Sequence, residues 1–154
     1  MSGAAERLAA LGLTLPPVAP PVAAYVPAVR TGTYVYTSGQ LPTVNGKLPA
    51  VGKVGAEVSA EDAAGMARTC ALNALAAAAS AAGGLEAIRR IVKVTGFVAS
   101  APGFGGQAQV INGASELLIE VFGEDGKHSR SAIGVAELPL NAPVEVELIA
   151  EVRD

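Results

Sequence analysis

Twenty-three residues from Ala60 to Ala82, AEDAAGMARTCALNALAAAASAA, constrain this chain more than any other stretch. Almost every one is a strong helix former. Ser59 stands in front as an N-cap, with Asp62 three positions on, close to a capping box. Gly83-Gly84 follows as the stop. Met66, Cys70, Asn73 and Ala77 share one face, and Ala63, Ala67, Leu72 and Leu75 widen its apolar side. Side chains this short let a helix backbone approach its neighbour closely, so the helix is expected to lie against a sheet. The chain has 154 residues, which favours one domain. Hydrophobic residues make up 51% and charged residues 16%, the balance of a well-buried chain or of one that hides further surface in an oligomer.

The other elements follow from local patterns. Ser2 to Leu13 reads as a short amphipathic helix. Thr14 to Ala24 carries four prolines between Pro16 and Pro21, which fix φ and favour an extended arm. A ligand for a proline-reading partner is the other reading of that arm. Tyr25 to Arg30 and Thr33 to Ser38 read as strands joined through Thr31-Gly32, and VNGK at 44–47 is a turn signal. Ile88 to Ala99 is a β-branched strand, SAPGFGGQ a loop, and Val110 to Phe122 a second helix. SRSAIGVAELPLNAPVEVELIAEV, Ser129 to Val152, reads as a closing hairpin. The domain plan is therefore an N-terminal helix and proline-rich arm over 1–24 and an α+β unit over 25–154, ordered β-β-α-β-α-β-β. Two helices cover one sheet face only. Strands such as RIVKVTGFV and VEVELIAEV are apolar on both sides, so self-association over the bare face is the economical expectation.

Several function classes are disfavoured. The net charge is −3, the basic residues are scattered, and three Phe, three Tyr and no Trp offer few stacking platforms, so a nucleic-acid partner is not expected. One cysteine, Cys70, rules out an internal disulfide and suits a reducing cytoplasm. The first ten residues show no secretion-signal pattern, and no apolar run reaches membrane-spanning length. GFGGQ lacks the lysine and hydroxyl residue of a phosphate loop. One His and one Cys do not build a usual zinc site. His128 reads as a solvated turn residue; the other reading has it approach the cleft, two residues before Arg130, and titrate near neutrality.

Four segments, AYVPAVRTGTYVYTSGQLP, IVKVTGFVAS, VINGASELLIEVFG and RSAIGVAELPLNAPVEVELIAEV, together resemble the Rid family, also called YjgF-like or L-PSP endoribonuclease-like. The last block is the specific part: RS, then VA-LP, then VE-E-IA, in order and spacing. The resemblance covers about Tyr25 to Val152. It implies a chorismate-mutase-like fold and a homotrimer centred on a barrel-like interior lined by three sheets. Ligand clefts would lie between subunits. The implied activity is cofactor-free hydrolysis of reactive 2-imino acids and their enamine tautomers to 2-keto acids and ammonia. A non-catalytic trimer binding small carboxylates, and an endoribonuclease-like translation inhibitor, are the alternatives.

The resemblance also assigns residues. Arg130 matches the carboxylate-binding arginine; a guanidinium fork suits a carboxylate and stays charged. Its other reading is an ion pair with a neighbouring glutamate. Glu145 matches a glutamate beside the hydrolytic water, which a carboxylate can orient and deprotonate; a structural carboxylate is the alternative. Alternation places Glu145, Glu147, Ile149 and Glu151 on one strand face and Val144, Val146, Leu148, Ala150 and Val152 on the other. Tyr25, Ser38, Gly39 and Asn112 match cleft positions. Their alternatives are core packing for Tyr25, a strand-end hydrogen bond for Ser38, and bridging of the APGFGGQ loop for Asn112. Gly39 is expected where backbone approaches closely. Ala132 is a departure: imine-hydrolysing members carry a cysteine there, so only main-chain contacts survive at this position.

Overall fold

The computed structural model describes residues 3–21 and 23–154. Helix α1 (Ala4–Ala10) comes first, then β1 (Ala28–Thr31), β2 (Tyr34–Thr37), α2 (Ala60–Ala82), β3 (Ile88–Ala99), α3 (Gln107–Phe122), β4 (Ser129–Val135) and β5 (Val144–Val152). After α1 this is the expected β-β-α-β-α-β-β order. Ser2, placed above in the first helix, and Val22, placed in the arm, lie outside the described residues.

The alanine-rich stretch folds as its composition dictates. Ser59 Oγ accepts from the Asp62 N–H at 3.1 Å, and Gly83 ends the helix in the left-handed region at φ 95°. The helix lies over β1, β2 and β5, and α3 lies over β3 and β4, so both cover the same sheet face. The two helices meet where Gly113 of α3 touches Ala64 of α2; a Cβ at 113 would run into the Ala64 carbonyl oxygen. The core between helices and sheet is aliphatic, with Leu75, Ile91, Ile111, Leu117, Leu118 and Leu148 fully buried. Leu8 of α1 belongs to the same core. Glu86 Oε1 accepts from Ala5 N at 2.7 Å, supplying the cap that Gly3 has no side chain to provide.

The strand order is β1-β2-β5-β3-β4. On β5 the even-numbered residues are buried against the helices and the odd-numbered ones face away, as the alternation predicts. The face without helices carries Val29, Tyr34, Tyr36 and Ile133, all exposed, with Val29 at 52%. A bare, partly apolar face is therefore present, although β5 contributes mainly carboxylates to it.

Three expectations are corrected. The sheet is open: β1 and β4 are its two edges and do not pair, so nothing closes into a barrel. Closure would require first and last strands to exchange hydrogen bonds, and β1 is four residues long at the far edge. Ser129 to Val152 is not a hairpin. β4 pairs in parallel with β3, and β5 pairs antiparallel with β3 from the other side, so β3 lies between them. Residues 136–143 cross over the end of β3 through a short 3-10 turn at Pro139–Asn141. The first strand begins at Ala28 rather than Tyr25, because Pro27 has no N–H to give a ladder.

Candidate functional site

Glu145 lies beneath a local break in the sheet. The β2–β5 ladder runs to Tyr36↔Ile149 and resumes at Gln40↔Val146. Residues 37–39 thus oppose only 147–148, a β-bulge. Thr37 Oγ1 keeps the gap satisfied by accepting from Leu148 N at 3.0 Å. The bulge throws Gly39 onto the Glu145 side chain so closely that a Cβ would strike the carboxylate. Close approach at Gly39 is thus present, toward a carboxylate of its own chain. Ser38 donates from Oγ to Val26 O at 2.6 Å and from N to Pro27 O at 2.8 Å, holding the segment that carries Tyr25. Asn73, buried on α2, donates from Nδ2 to Leu41 O and Thr43 O, both at 3.0 Å, and anchors the following loop.

These ties enclose a cavity of about 230 Å³ whose walls include Tyr25, Gly39, Leu41, Leu140 and prolines 20, 21, 27 and 139, with Glu145 the one charged group among the described lining residues. Burial raises the Glu145 carboxyl above its ordinary value, and the neighbouring Glu147 carboxylate raises it further. Glu147 is itself raised by burial, partly offset by Lys93. Such a carboxyl can exchange a proton nearer neutrality than an exposed one.

Arg130 stands elsewhere, on edge strand β4 against α3. Its Nη1 donates to Asn112 Oδ1 at 2.8 Å and to Ser115 Oγ at 3.2 Å, and Nη2 donates to Ala108 O at 3.2 Å. All three partners are neutral. No carboxylate among the described residues lies within ion-pair distance, so the pairing with a neighbouring glutamate does not occur within the chain. Behind Arg130, Ser115 Oγ lies 2.9 Å from His128 Nε2, and His128 Nδ1 lies 2.6 Å from Gly126 O. A carbonyl only accepts, so Nδ1 carries the proton. In the neutral ring Nε2 then accepts from the Ser115 hydroxyl, whose oxygen accepts from Arg130. Burial lowers the His128 pKa; the Gly126 bond opposes this and the Arg130 charge adds to it. His128 is thus a half-buried, doubly bonded group rather than a solvated turn residue.

The expected site residues fall into two groups. Tyr25, Gly39 and Glu145 share the cavity, with Ser38 bracing it. Arg130, Asn112 and Ala132 sit together on β4 and α3, where Ala132 is half-buried beneath the helix. The groups do not meet in one chain. Arg130 is in register with buried Val94 and Leu148, whereas Glu145 is in register with Phe97 and Ile133, so they belong to opposite sheet faces. Two strand spacings and three residue rises put their Cα atoms roughly 14 Å apart. The loop-bridging role expected of Asn112 falls to Gln107, whose Nε2 donates to Ser100 Oγ at 3.1 Å and Phe104 O at 2.8 Å. Sequence reasoning missed Ser115, and it set His128 aside as a turn residue although its spacing from Arg130 allowed an approach. The spacing held a signal: Asn112 and Ser115 are three apart on one helix, and His128, just before β4, stands two residues from Arg130. Cys70 is buried and its thiol pKa raised by desolvation, as suits a packing residue. Among the described residues no cluster of three metal-ligating side chains occurs, and no helix is long and apolar enough to cross a membrane.

A family model described as YjgF/chorismate mutase-like, with an endoribonuclease label, matches residues 5–152. The chain belongs to this YjgF-like family. Protein TCP17 of Trypanosoma cruzi is 40% identical over 151 residues, covering 97% of this chain and 94% of that protein. A crystal structure of a protein of unknown function from Agrobacterium tumefaciens is 46% identical with a TM-score of 0.90, covering 97% of this YjgF-like chain and 92% of the other. E. coli TdcF, crystallised with bound serine, is 29% identical with a TM-score of 0.60, covering 91% and 94%.

Proposed function

We propose that this protein hydrolyses 2-imino acids to 2-keto acids and ammonia in a cleft between copies of the chain. Arg130 of one copy grips the substrate carboxylate and Glu145 of its neighbour manages the attacking water. The observation that carries this reading is the Arg130 guanidinium, which is oriented by neutral acceptors only and so keeps its charge for an outside anion. The separation of Arg130 from Glu145 within a chain supports completion by a second copy. The partly apolar helix-free face supports the same conclusion, with the trimer implied by the family likeness as the expected assembly. TdcF's bound serine is a small acid with nitrogen on the carbon beside its carboxylate, which matches the proposed ligand class.

The chemistry balances without a cofactor. Glu145 takes a proton from water as the water oxygen bonds to the imine carbon. The carbon–nitrogen π pair moves to nitrogen, which receives that proton. The resulting carbinolamine loses its hydroxyl proton to Glu145, the oxygen pair re-forms the carbonyl as the carbon–nitrogen bond breaks, and Glu145 hands that proton to the departing nitrogen, which leaves as ammonia. The water oxygen stays in the keto acid and both water hydrogens leave with nitrogen. A raised carboxyl pKa helps Glu145 act in both directions.

Ala132 favours a second reading, a carboxylate-binding protein without turnover, because its side chain offers no hydrogen bond. The test generates imines in situ with an amino-acid oxidase and follows ammonia release. Faster release by the native chain, lost in Arg130→Ala, is expected. Saturable 2-keto acid binding without faster release sinks the hydrolase reading and leaves the binder. Salt-sensitive RNA cleavage by nuclease-free protein moves the assignment to the endoribonuclease label.

A further inference from the structure

The wall of the Glu145 cavity carries information that the reaction itself does not require. A three-carbon imino acid has a single methyl beyond its reacting carbon. The cavity holds about 230 Å³, room for roughly seven waters at ~30 Å³ each. Its lining is mostly apolar. Glu145 is the one charged group among the described lining residues, Tyr25, Gln40 and Thr43 add polar side chains, and Ala19, Pro20, Pro21, Pro139 and Leu140 make up much of the rest. Water in such a space meets few hydrogen-bonding partners, so an apolar group displaces it favourably.

Leu140 is an independent sign. It is 67% exposed at the cavity, and its φ of 59° lies in the left-handed region, with Asn141 beside it at 60°. Asparagine tolerates that region; leucine rarely occupies it. Nothing in the core needs this side chain, since it is the most exposed of the large hydrophobic residues among those described. A branched apolar residue held in an unfavourable conformation at a cavity mouth points to a role in the cavity. The proline part of the lining is stiff for a different reason. Pro20 and Pro21 fix their φ angles, so little chain entropy is lost when something packs on them.

We infer that the proline arm and Leu140 form an apolar side-chain pocket, which makes this protein selective for 2-imino and 2-keto acids with branched or medium-length hydrocarbon side chains over the three-carbon acid. The inference rests on the imine-hydrolase reading for the position of the reacting carbon: with that carbon beside Glu145, the substituent extends along the apolar wall. Each methylene accommodated is worth about tenfold or more in such a pocket.

The experiment titrates the full-length chain with the stable keto acids 2-oxopropanoate, 2-oxobutanoate and 4-methyl-2-oxopentanoate. In parallel it measures ammonia release from imines made from alanine, 2-aminobutanoate and leucine. Affinity is expected to rise along the series, by about tenfold for each added carbon that the pocket accommodates. Leu140→Gly, which removes the side chain and relaxes the backbone, should cut that ratio severalfold; a thermal melt checks that it folds. A flat or falling series in the native chain overturns the pocket, as does an unchanged ratio in Leu140→Gly. Turnover with a flat series sinks this inference alone. A rising binding series without turnover sinks the hydrolase and leaves the pocket standing.

Discussion

Arg130 and Glu145 carry opposite charges, and the fold treats them in opposite ways. Arg130 lies at a sheet edge with three neutral acceptors around its guanidinium, which fix its direction and leave its charge intact. Glu145 lies in an apolar cavity where burial and Glu147 disfavour its charge. The first environment suits the anchor proposed for a substrate carboxylate. The second makes a group that can gain and lose a proton. Binding needs a charge that does not change, and hydrolysis needs one that does.

Removing the adjustable group should have the largest effect. Glu145→Gln keeps the shape and ends proton transfer, so imine hydrolysis should fall about 10²- to 10⁴-fold while 2-keto acid binding survives. If steady-state ammonia release is unaltered, the difference between the two regions has no catalytic meaning. Arg130→Ala should act the other way. It should lose carboxylate binding by about 2–5 kcal/mol, seen by calorimetry, with an unchanged far-ultraviolet spectrum. Retained affinity would remove the anchor.

Smaller effects sharpen the contrast. Ser115→Ala deletes one of Arg130's acceptors and the bridge to His128. A loss of about 1 kcal/mol in keto acid affinity is expected, with kcat nearly unchanged. A fall in kcat at constant affinity would mean that the relay serves the chemistry instead. The smallest expected effect is a shift in a pH profile. A general base works ionised, so kcat should climb as pH rises through the Glu145 pKa, which lies above the ordinary 4.5. Glu147→Gln removes one of the two causes of that rise, so the midpoint should move to lower pH. A midpoint that stays in place assigns the whole shift to burial.

Much of the architecture is legible from local pattern. α2 and β3 occur at the boundaries read from residue type alone, and β5 shows the expected alternation along its length. These features depend on capping, propensity and periodicity, which reach only a few residues along the chain. The site was legible in part: Gly39 was expected at a close approach, and the approach is real, while the group it approaches was hidden.

What the chain's letters determined are the elements, their faces and the residue types that chemistry would use. Only the tertiary structure decided which strand lies beside which. Period-two alternation says which side a residue points to and nothing about its neighbour, so a crossover over β3 passed for a hairpin. The same limit concealed Ser115 and the bonds that link His128 to Arg130 through it, and the distance between Arg130 and Glu145. Hydrogen-bond partners and separations between residues far apart in sequence exist only once the chain is packed.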